Sequence, residues 1–564
     1  MDLVQTLAAD LARVSDVDSA TLETMLETPP EPAMGDAALP CFKLARQFRR
    51  PPAEIAQNLK EELGAVPYIE RTEVVGGYLN FYFRPAAYVD TILIPADEAG
   101  TEWGRSDIGE GRTVVIDYSS VNIAKPFHIG HLSSTAIGSA LYKIYSYLGY
   151  NVVGVNHLGD WGTQFGRMIA AYKHWGNDDE IERDGVDALL RLYVRFHEEA
   201  VDSPVLEDEG RAWFKRIEDG DEEATRIFGW FKGITLREAQ AMYDRLDVRF
   251  DSYAGESFYN DMLPGVVDEL EIDGLLELSE GAQIVRLDDV ELPPAVILKS
   301  DGATLDLTRD IACAEYRKDT YDFYRSLYVV AYQQNLHFRQ LFALLKKMGY
   351  DWADACEHVA FGMVSFEDEV QSTRHGNVVL LKDVLDRAVE KTGEIIAEKN
   401  PDLEDRDEVA EQVGVGAVLY SALAQSRIKD IPFTFERVLN FEGETGPYVQ
   451  YTHARAQSVL ARAPQNLPEP DFSALDAPSA VAVMKAIGRF PDAIEMAADR
   501  NEPFYVTRSV TELAQAFNKY YYDNKIIRPD DPASTSARLL LTRVVRNVLY
   551  RGLALLGIKA PDRM

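Results

Sequence analysis

The segment 113–160 constrains the fold most strongly, because it contains three elements in an informative order. It begins with a β-branched run, "TVVIDYSS", and ends with another, "NVVGVNHLGD". Between them, "HLSSTAIGSALYKIYSYLGY" repeats apolar residues at helical spacing: Ile137, Leu141, Ile144 and Leu148. Strand, loop, helix and strand form a βαβ unit, which predicts a parallel sheet with helices on its faces.

With 564 residues, the chain is too long for one hydrophobic core, and its patterning divides it into three parts. Residues 1–95 predict a small α/β module. Residues 112–400 predict the parallel-sheet domain, with an acidic helical insertion at about 176–290. The strand patterns "AVILKS", "LYVVAY" and "HVAFGMV" are expected to complete its sheet. Residues 405–564 are predicted to be helical almost throughout.

The net charge is unusual, since 92 Asp and Glu residues against 58 Lys and Arg residues give −34. The acids are spread along the chain, in runs such as "NDDEIERD" and "EDGDEEA", and self-repulsion of this size is best tolerated when salt screens it. We therefore expect a halophilic origin. Because such a polyanion repels nucleic acid, any RNA site requires a local basic or aromatic footprint.

The sequence also indicates the compartment. No apolar run reaches the roughly 18 to 20 residues of a membrane span, and the acidic, amphipathic N-terminus lacks the pattern of a signal peptide. Cys41, Cys313 and Cys356 are far apart and form no Cys-x-x-Cys pair, which favours buried free thiols over a disulfide or a zinc site. We expect a cytoplasmic protein without membrane association.

The loop before the predicted helix carries candidate chemistry. In "AKPFHIGHLSST", His128 and His131 are three residues apart at a helix N-terminus, beyond the carboxyl end of a strand, where parallel sheets bind ligands. The histidines can donate hydrogen bonds to phosphate oxygens, Gly130 allows a close approach, and Lys125 adds positive charge. Taken alone, H-x-G-H is more typical of a helix-capping turn with two satisfied histidines. Zinc would need a third ligand, and none is nearby.

The stretches "YSSVNIAKPFHIGH" and "NHLGDWGTQFG" resemble the signature of the class I aminoacyl-tRNA synthetases, specifically the arginyl-tRNA synthetase family. Only Val121 departs from the family pattern in the first stretch. The resemblance continues through "LTRDIA", "QQNLHF", "STRHGNVV", "GPYVQYTHAR" and "GLALLGIKAPDRM". It implies an α/β protein: a class I synthetase Rossmann-like parallel-sheet catalytic domain with an N-terminal α/β module and an all-helical C-terminal anticodon-binding domain.

The resemblance further implies an ATP-dependent arginine–tRNA ligase. Such an enzyme activates arginine with ATP, accompanied by Mg²⁺, to arginyl-adenylate, and transfers the arginyl group to the 3′ end of tRNA-Arg in protein synthesis. No protein-bound structural metal is expected. A long chain with its own tRNA-binding modules fits a monomer.

Catalytic roles are implied for Lys125, His128, His131 and Arg374. The mobile K-M-S-K-S loop of class I enzymes matches "VQSTRHGNVV", where Thr373 replaces the second lysine, and Lys125 is implied to substitute for that lysine. A surface hairpin is the alternative for this segment. The residues implied to bind ATP are His128, Gly130, His131, His337, Ser372, Thr373 and Arg374.

Specificity for arginine requires a carboxylate that faces the planar guanidinium. Asp310 in "LTRDIA" matches the aspartate that has this role in the family. Asp306 stands where the family usually has a tyrosine, and its carboxylate either pairs with the guanidinium or turns to solvent. The other residues implied to bind arginine are Asn80, Asp117, Asn122 and Gln334.

The C-terminal motif "NKYYYDNK" places tyrosines beside lysines and asparagines, a mixture that stacks and holds unpaired bases. Packing in a helix core is the alternative, but the resemblance favours RNA contact by at least one tyrosine. The residues implied to bind tRNA are Tyr520, Tyr521, Tyr522 and the final Met564. In the N-terminal module, the basic stretch "KLARQFRRPP" is implied to face the outer corner of the tRNA, and a solvated helix face is the alternative.

Two other functions remain open: a non-catalytic RNA-binding protein derived from a synthetase, and a synthetase for another amino acid. The intact H-x-G-H motif, Lys125 and Asp310 count against the first. The cysteinyl branch relies on a cysteine-bound zinc, which three separated cysteines cannot assemble. Nothing in the insertion suggests a hydrolytic editing centre, and guanidinium recognition already discriminates strongly.

Overall fold

The computed structural model describes residues 3–201, 203–366 and 379–564. The N-terminal module contains α1 (Leu3–Arg13), α2 (Ser19–Met25), β1 (Ala37–Pro40), α3 (Ala45–Phe48), α4 (Pro52–Leu63), β2 (Ile69–Val75), β3 (Tyr78–Phe83), α5 (Pro85–Tyr88) and α6 (Ile94–Ala99). Its strands form an antiparallel sheet in the order β1–β3–β2, on which α4 packs. Helix α4 begins with Pro52 in its first turn and ends at Gly64, whose φ of 64° suits a residue without a Cβ.

Residues 113–399 contain the parallel sheet and the elements inserted into it. In chain order these are β4 (Thr113–Asp117), α7 (Gly130–Tyr147), β5 (Asn151–Val155), α8 (Thr163–Trp175), α9 (Asp178–Asp184), α10 (Val186–Ala200), α11 (Pro204–Glu218), α12 (Glu222–Arg245), α13 (Leu263–Ile272), β6 (Leu276–Ser279), β7 (Ala282–Val285), β8 (Ala295–Leu298), α14 (Asp306–Tyr321), β9 (Arg325–Tyr328), α15 (Asn335–Lys347), β10 (Cys356–His358), β11 (Val364–Phe366) and α16 (Leu381–Lys399).

The predicted parallel sheet is confirmed. Its four strands have the order β10–β9–β4–β5 and are all parallel, with β4–α7–β5 as the predicted βαβ unit. In the central strand β4, Val114, Val115 and Ile116 are completely buried, as expected for a strand covered by helices on both faces. Cys41, Cys313 and Cys356 are buried and free, as predicted.

The expectation that "AVILKS" joins this sheet is wrong. Strand β8 pairs with β7 in a separate antiparallel sheet of order β6–β7–β8. Its residues alternate, with Ala295 and Ile297 buried and Val296 exposed, as is typical of an antiparallel strand with one face in solvent. An apolar run identifies a strand but does not determine which sheet the strand joins.

The C-terminal region is helical, as predicted. It contains α17 (Arg406–Leu423), β12 (Ile431–Phe433), α18 (Phe435–Val438), α19 (Gly446–Ala461), α20 (Pro478–Gly488), α21 (Phe490–Asp499), α22 (Phe504–Asp523) and α23 (Pro532–Leu555). Helices α17 and α21 pack on α7, where the Tyr145 hydroxyl hydrogen-bonds the Ala498 carbonyl at 2.7 Å and Asn501 Oδ1 at 2.8 Å. The helical region is therefore joined directly to the parallel sheet's first crossover helix.

A short ribbon crosses between the two regions. Strand β11 pairs in parallel with β12, from Val364 opposite Ile431 to Phe366 opposite Phe433. On the other side of residues 367–378, the chain is hydrogen-bonded to the H-x-G-H loop: Ile129 N–H donates to the Val379 carbonyl at 2.9 Å. The chain on either side of residues 367–378 thus contacts different parts of the molecule.

Candidate active site

The candidate active site lies at the carboxyl end of the parallel sheet, where the loops after three neighbouring strands meet. Strand β4 lies between β5 and β9, and Asp117 at its end is level with Val155 in β5 and Tyr328 in β9. Helix α7 begins at Gly130, so the H-x-G-H loop reaches the same edge. The strand order therefore brings together the segments that follow Asp117, Val155 and Tyr328, as open α/β sheets do at their ligand sites.

Backbone hydrogen bonds determine which nitrogen of each histidine carries the proton. His128 Nδ1 accepts the Gly130 N–H at 3.0 Å, and His131 Nδ1 accepts the His128 N–H at 3.2 Å. Burial and the charge of Lys125 lower the pKa of His128, while burial and the neighbouring His128 lower the pKa of His131 to about 3. Both rings are therefore neutral at pH 7, and each has an Nε2–H free to donate.

The loop therefore combines neutral donors with one nearby cation. Lys125 lies close enough to act on both histidines and is half-exposed. Gly130 also makes room for the His128 ring, because a Cβ there would lie 2.8 Å from His128 Cε1; its predicted contact with ATP stays a prediction. Neutral N–H donors and a lysine are suited to a charged phosphate chain.

The backbone between β4 and α7 is strained. Ser119, Ser120 and Ala124 have φ values of 70°, 47° and 60°, in the left-handed region that L residues disfavour. Side-chain oxygens hold this conformation: the Ser119 N–H donates to Ser134 Oγ at 2.9 Å and the Ala124 N–H donates to Thr235 Oγ1 at 3.0 Å. Strain of this kind persists where the surroundings over-determine the loop, and it is concentrated at functional sites.

Helix α12 of the insertion supports this loop and the loop that follows β5. Besides Thr235, it provides Lys232, whose Nζ lies 2.5 Å from Asp160 Oδ2, and Tyr243, whose hydroxyl hydrogen-bonds Ser119 Oγ and Asn156 Nδ2 at 2.9 Å each. Sequence reasoning missed these supports. Their spacing of three and eight residues, which places them on one helix face, is the signal that could have indicated them.

Asp117 has a buried partner within the protein. Its Oδ2 lies 2.7 Å from Arg317 Nη2, and Ser120 Oγ donates to its Oδ1 at 2.9 Å. Asp117 and Arg317 are both buried, and the guanidinium lies 5.3 Å from the ring centroid of Tyr328. The structure therefore gives the Asp117 carboxylate a structural role, which the sequence did not reveal.

Acidic side chains gather on the other side of the site. Burial raises the pKa of the Glu256 carboxyl to about 7. The negative charges of Asp306 and Asp160 also raise this pKa, whereas the positive charges of His157 and Arg309 lower it. Sequence reasoning missed Glu256, because its surroundings come from segments far apart in the chain. A carboxyl with a pKa near neutrality, surrounded by other charged side chains, is a candidate for a functional group.

Asp310 and His337 form a close pair in this region. His337 Nε2 lies 2.6 Å from Asp310 Oδ2. The resemblance implied an ATP contact for His337, whereas the structure places its Nε2 on the carboxylate assigned to arginine.

The remaining predicted arginine contacts differ in exposure. The Asp306 side chain is 88% exposed, and its Oδ1 lies 3.9 Å from Arg309 Nη1. Of the two orientations expected for it, toward the guanidinium or toward solvent, the structure shows the second. Asn122 packs against the motif "NHLGDWGTQFG": a Cβ added to Gly159 of this motif would lie 2.4 Å from Asn122 Oδ1. Gln334 is exposed, one residue before α15 begins.

Asn80 does not join this group. It lies in β3, paired with Ala38 and Glu73, in the sheet of the N-terminal module. That module docks on the C-terminal helices, through an ion pair between Asp36 and Lys485 among other contacts. Across the described residues, no hydrogen bond or ion pair connects Asn80 to the residues at the ends of the parallel strands. Its predicted contact with arginine therefore stays a prediction. Ser372, Thr373 and Arg374 lie outside the described residues.

A second cleft lies in the helical region. It has a volume of about 660 Å³ and includes Lys399, Tyr451, Arg455, Asn518 and Met564 in its lining. The Arg455 guanidinium lies 4.8 Å from the Tyr451 ring centroid and 5.2 Å from that of Tyr521. The cleft therefore combines aromatic faces, a cation and amide groups, as binding of unpaired bases requires.

The three neighbouring tyrosines are not equivalent. Tyr520 is completely buried, so the prediction that it contacts RNA is wrong for this residue. Tyr521 is 39% exposed beside the cleft, and Tyr522 is 90% exposed. Successive helical residues point about 100° apart, so three consecutive side chains cannot share one face. Met564 lines the cleft, and its carbonyl accepts a hydrogen bond from Asn400 Nδ2 at 3.1 Å.

Comparison with known proteins agrees with this arrangement. Residues 98–435 match the family "tRNA synthetases class I (R), catalytic domain", residues 449–564 match "DALR anticodon binding domain", and residues 1–83 match "Arginyl tRNA synthetase N terminal domain". An arginine–tRNA ligase of Halothermothrix orenii is 50% identical over 552 residues, 98% of this chain and 97% of the relative. The chain belongs to the arginyl-tRNA synthetase family.

Further relatives support the same assignment. An arginine–tRNA ligase of Alkaliphilus metalliredigens is 48% identical over 98% of both chains. The solved Thermus thermophilus arginyl-tRNA synthetase is 28% identical, covers 100% of both chains and has a TM-score of 0.79. The predicted class I fold of the family is confirmed. A halophilic origin is not supported, since several relatives are clostridial.

Across residues 3–201, 203–366 and 379–564, no group of three or more His, Cys, Asp and Glu side chains is placed to hold a metal ion. Within the same ranges, no helix is long and apolar enough to cross a membrane.

Proposed function

We infer that this member of the arginyl-tRNA synthetase family activates arginine with ATP and transfers the arginyl group to the 3′ end of tRNA-Arg. The observation that carries this function is the pairing of a donor-rich H-x-G-H loop with a cluster of acidic side chains at one edge of the sheet. The loop suits the triphosphate and the acidic cluster suits a guanidinium. A donor-rich loop and an acidic cluster, both at the ligand edge of the sheet, argue against a protein that only binds RNA.

Roles for the nucleotide site follow from the histidine geometry. The Nε2–H groups of His128 and His131 hydrogen-bond phosphate oxygens, and Lys125 balances the charge that develops as pyrophosphate leaves. Mg²⁺ enters with ATP as part of the substrate. Ser372, Thr373 and Arg374 remain proposed ATP contacts on the family pattern alone.

For arginine, we propose that Asp310 and Glu256 face the guanidinium. This arrangement distinguishes arginine from lysine, because only a planar, permanently charged guanidinium can form two parallel hydrogen bonds with a carboxylate. Asn122 and Gln334 remain proposed contacts for the rest of the amino acid. We propose that Asp117 acts through Arg317 and Ser120 by holding the strained loop in place.

The tRNA surface includes the helical cleft. Tyr521, Tyr451 and Arg455 offer stacking surfaces for unpaired bases, with Met564 on the cleft wall and Tyr522 at the exposed margin. We propose three functional units at 1–95, 112–400 and 405–564, and a monomeric cytoplasmic enzyme.

Aminoacylation of total tRNA with each of the twenty amino acids tests the function. We expect charging with arginine alone, and Asp310→Asn should weaken arginine use far more than ATP use. Charging with a different amino acid, or none at either low or high potassium chloride, would overturn the inference. Sedimentation of the purified chain at both salt concentrations tests the monomeric state.

A further inference from the structure

The carboxylate assigned to the guanidinium already has a partner in the protein. His337, on the first turn of α15, directs Nε2 to Asp310 Oδ2 at 2.6 Å. This contact uses one of the two carboxylate oxygens of Asp310. The other, Oδ1, has no partner among the side chains of the described residues.

The charged and titratable groups that face His337 come from two packed elements. Helix α14 contributes Asp310 and Asp306, and β10 contributes His358. Burial lowers the pKa of His358 below its ordinary value, although the hydrogen bond from Nε2 to the Val330 carbonyl at 2.9 Å acts in the opposite direction, so the ring is neutral at pH 7. Burial also opposes charge on His337, but the hydrogen bond and charge of Asp310, together with Asp306, raise its pKa above the ordinary value.

We propose that His337 is a positioning residue that controls access of the arginine side chain to Asp310. In its neutral form, its Nε2–H holds Asp310 Oδ2 and leaves Oδ1 for the guanidinium. In its protonated form, the imidazolium competes with the guanidinium for the same carboxylate. This inference rests on the assignment of the guanidinium to Asp310 made above.

The competition follows from the charges of the two groups. A guanidinium stays protonated at any pH the protein tolerates, so it places a permanent positive charge next to the imidazole. Two positive charges on neighbouring groups repel each other, and arginine binding therefore favours the neutral His337 ring. By linkage, arginine affinity falls by at most about tenfold for each pH unit below the pKa of His337. ATP does not take part in this competition.

Glu256 complicates the pH dependence, because its pKa of about 7 makes it lose charge as the pH falls from 8 to 6. Protonation of Glu256 also weakens the attraction for a cation, so the sign is the same. Only variants can separate the two groups.

The test compares His337→Gln with His337→Met. Glutamine places a neutral N–H donor near the position of Nε2 but does not titrate, whereas methionine has no donor. Calorimetry of the full chain measures arginine and ATP binding separately between pH 6 and pH 8 at constant ionic strength. Thermal unfolding of each variant confirms that it is folded.

We expect His337→Gln to bind arginine about as well as the parent at pH 8 and more tightly than the parent at pH 6. His337→Met should lose about tenfold in arginine affinity at pH 8, as expected for a lost hydrogen bond to a charged group. ATP affinity should change in neither variant. In Glu256→Gln, arginine affinity should still fall below the pKa of His337. In the double variant Glu256→Gln/His337→Gln, this pH dependence of arginine affinity should disappear.

Two outcomes would overturn the role of His337. One is a pH dependence in His337→Gln equal to that of the parent. The other is a loss of ATP affinity with unchanged arginine affinity, which would make His337 a nucleotide contact. Asp310→Asn separates these failures from a wrong assignment of the guanidinium: if that variant binds arginine normally, the assignment itself fails.

Discussion

The buried pair of Asp117 and Arg317 allows a quantitative test of how the active-site loop is held. In Arg317→Met the guanidinium is removed, but the Asp117 carboxylate stays buried, and among the side chains of the described residues the Ser120 hydroxyl is its remaining hydrogen-bond donor. Breaking a buried ion pair on one side costs about 3–5 kcal/mol, because the remaining charge is uncompensated. At about 2 °C per kcal/mol for a large domain, the melting temperature of the catalytic unit should fall by roughly 6–10 °C.

The double variant Asp117→Asn/Arg317→Met removes both charges and should recover much of this loss. The coupling energy of the cycle should be on the order of 2–3 kcal/mol. Lys318→Met is the matched control, since Lys318 is the next residue on α14 and pairs at 2.6 Å with the exposed Asp322. A surface pair of this kind is worth about 1 kcal/mol or less.

Scanning calorimetry is the appropriate measurement, because a chain of several domains can unfold in more than one transition. Equal destabilisation of the single and double variants would refute the idea that the two side chains act as a unit. The arginine KM of the double variant adds a second criterion. If the double variant is stable but no longer binds arginine, Asp117 contacts the substrate directly and does not act only through the loop.

Three further predictions concern the other parts of the site. Lys125→Met should lower kcat for adenylate formation by about 10²-fold in pyrophosphate exchange, as for loss of one preorganised charge at a transition state, whereas Lys346→Met at the surface should not. Tyr521→Ala should raise the KM for tRNA roughly tenfold through lost stacking without changing the KM for arginine, while Tyr520→Phe, which alters only a buried hydroxyl, should leave both unchanged. Folding raises the pKa of Glu256 from 4.5 to about 7, so the folded state favours the protonated form and loses stability as pH rises through this range. Glu256→Gln should therefore melt at a higher temperature than the parent at pH 8 but not at pH 4, and should raise the KM for arginine; equal melting temperatures at pH 8 would contradict the burial of this carboxyl.

The parts of the fold that depend on local pattern could be predicted from the sequence. The β4–α7–β5 unit follows from β-branched runs on either side of a helical repeat, and the H-x-G-H loop follows from its place between them. The sheet that contains Ala295–Leu298 could not be predicted, because strand pairing depends on segments distant in the chain.

The side-chain environment of the site could be predicted less well from the sequence. Glu256 and Arg317 carry no motif, and their roles arise only when packing places them beside Asp306 and Asp117. The three tyrosines at 520–522 show the opposite case. Helical geometry alone would have excluded a shared exposed face, and the composition of the motif concealed this.

The pairing of β11 with β12 bears on how chains of this kind can be recombined. A cut near residue 400, between α16 and α17, looks like a natural place to exchange one anticodon-binding region for another. Such a cut would separate Val364–Phe366 from Ile431–Phe433 and leave the catalytic half with an unpaired strand. A functional chimera should therefore keep residues 425–435 with the catalytic half and place its junction later, in the loop before α19.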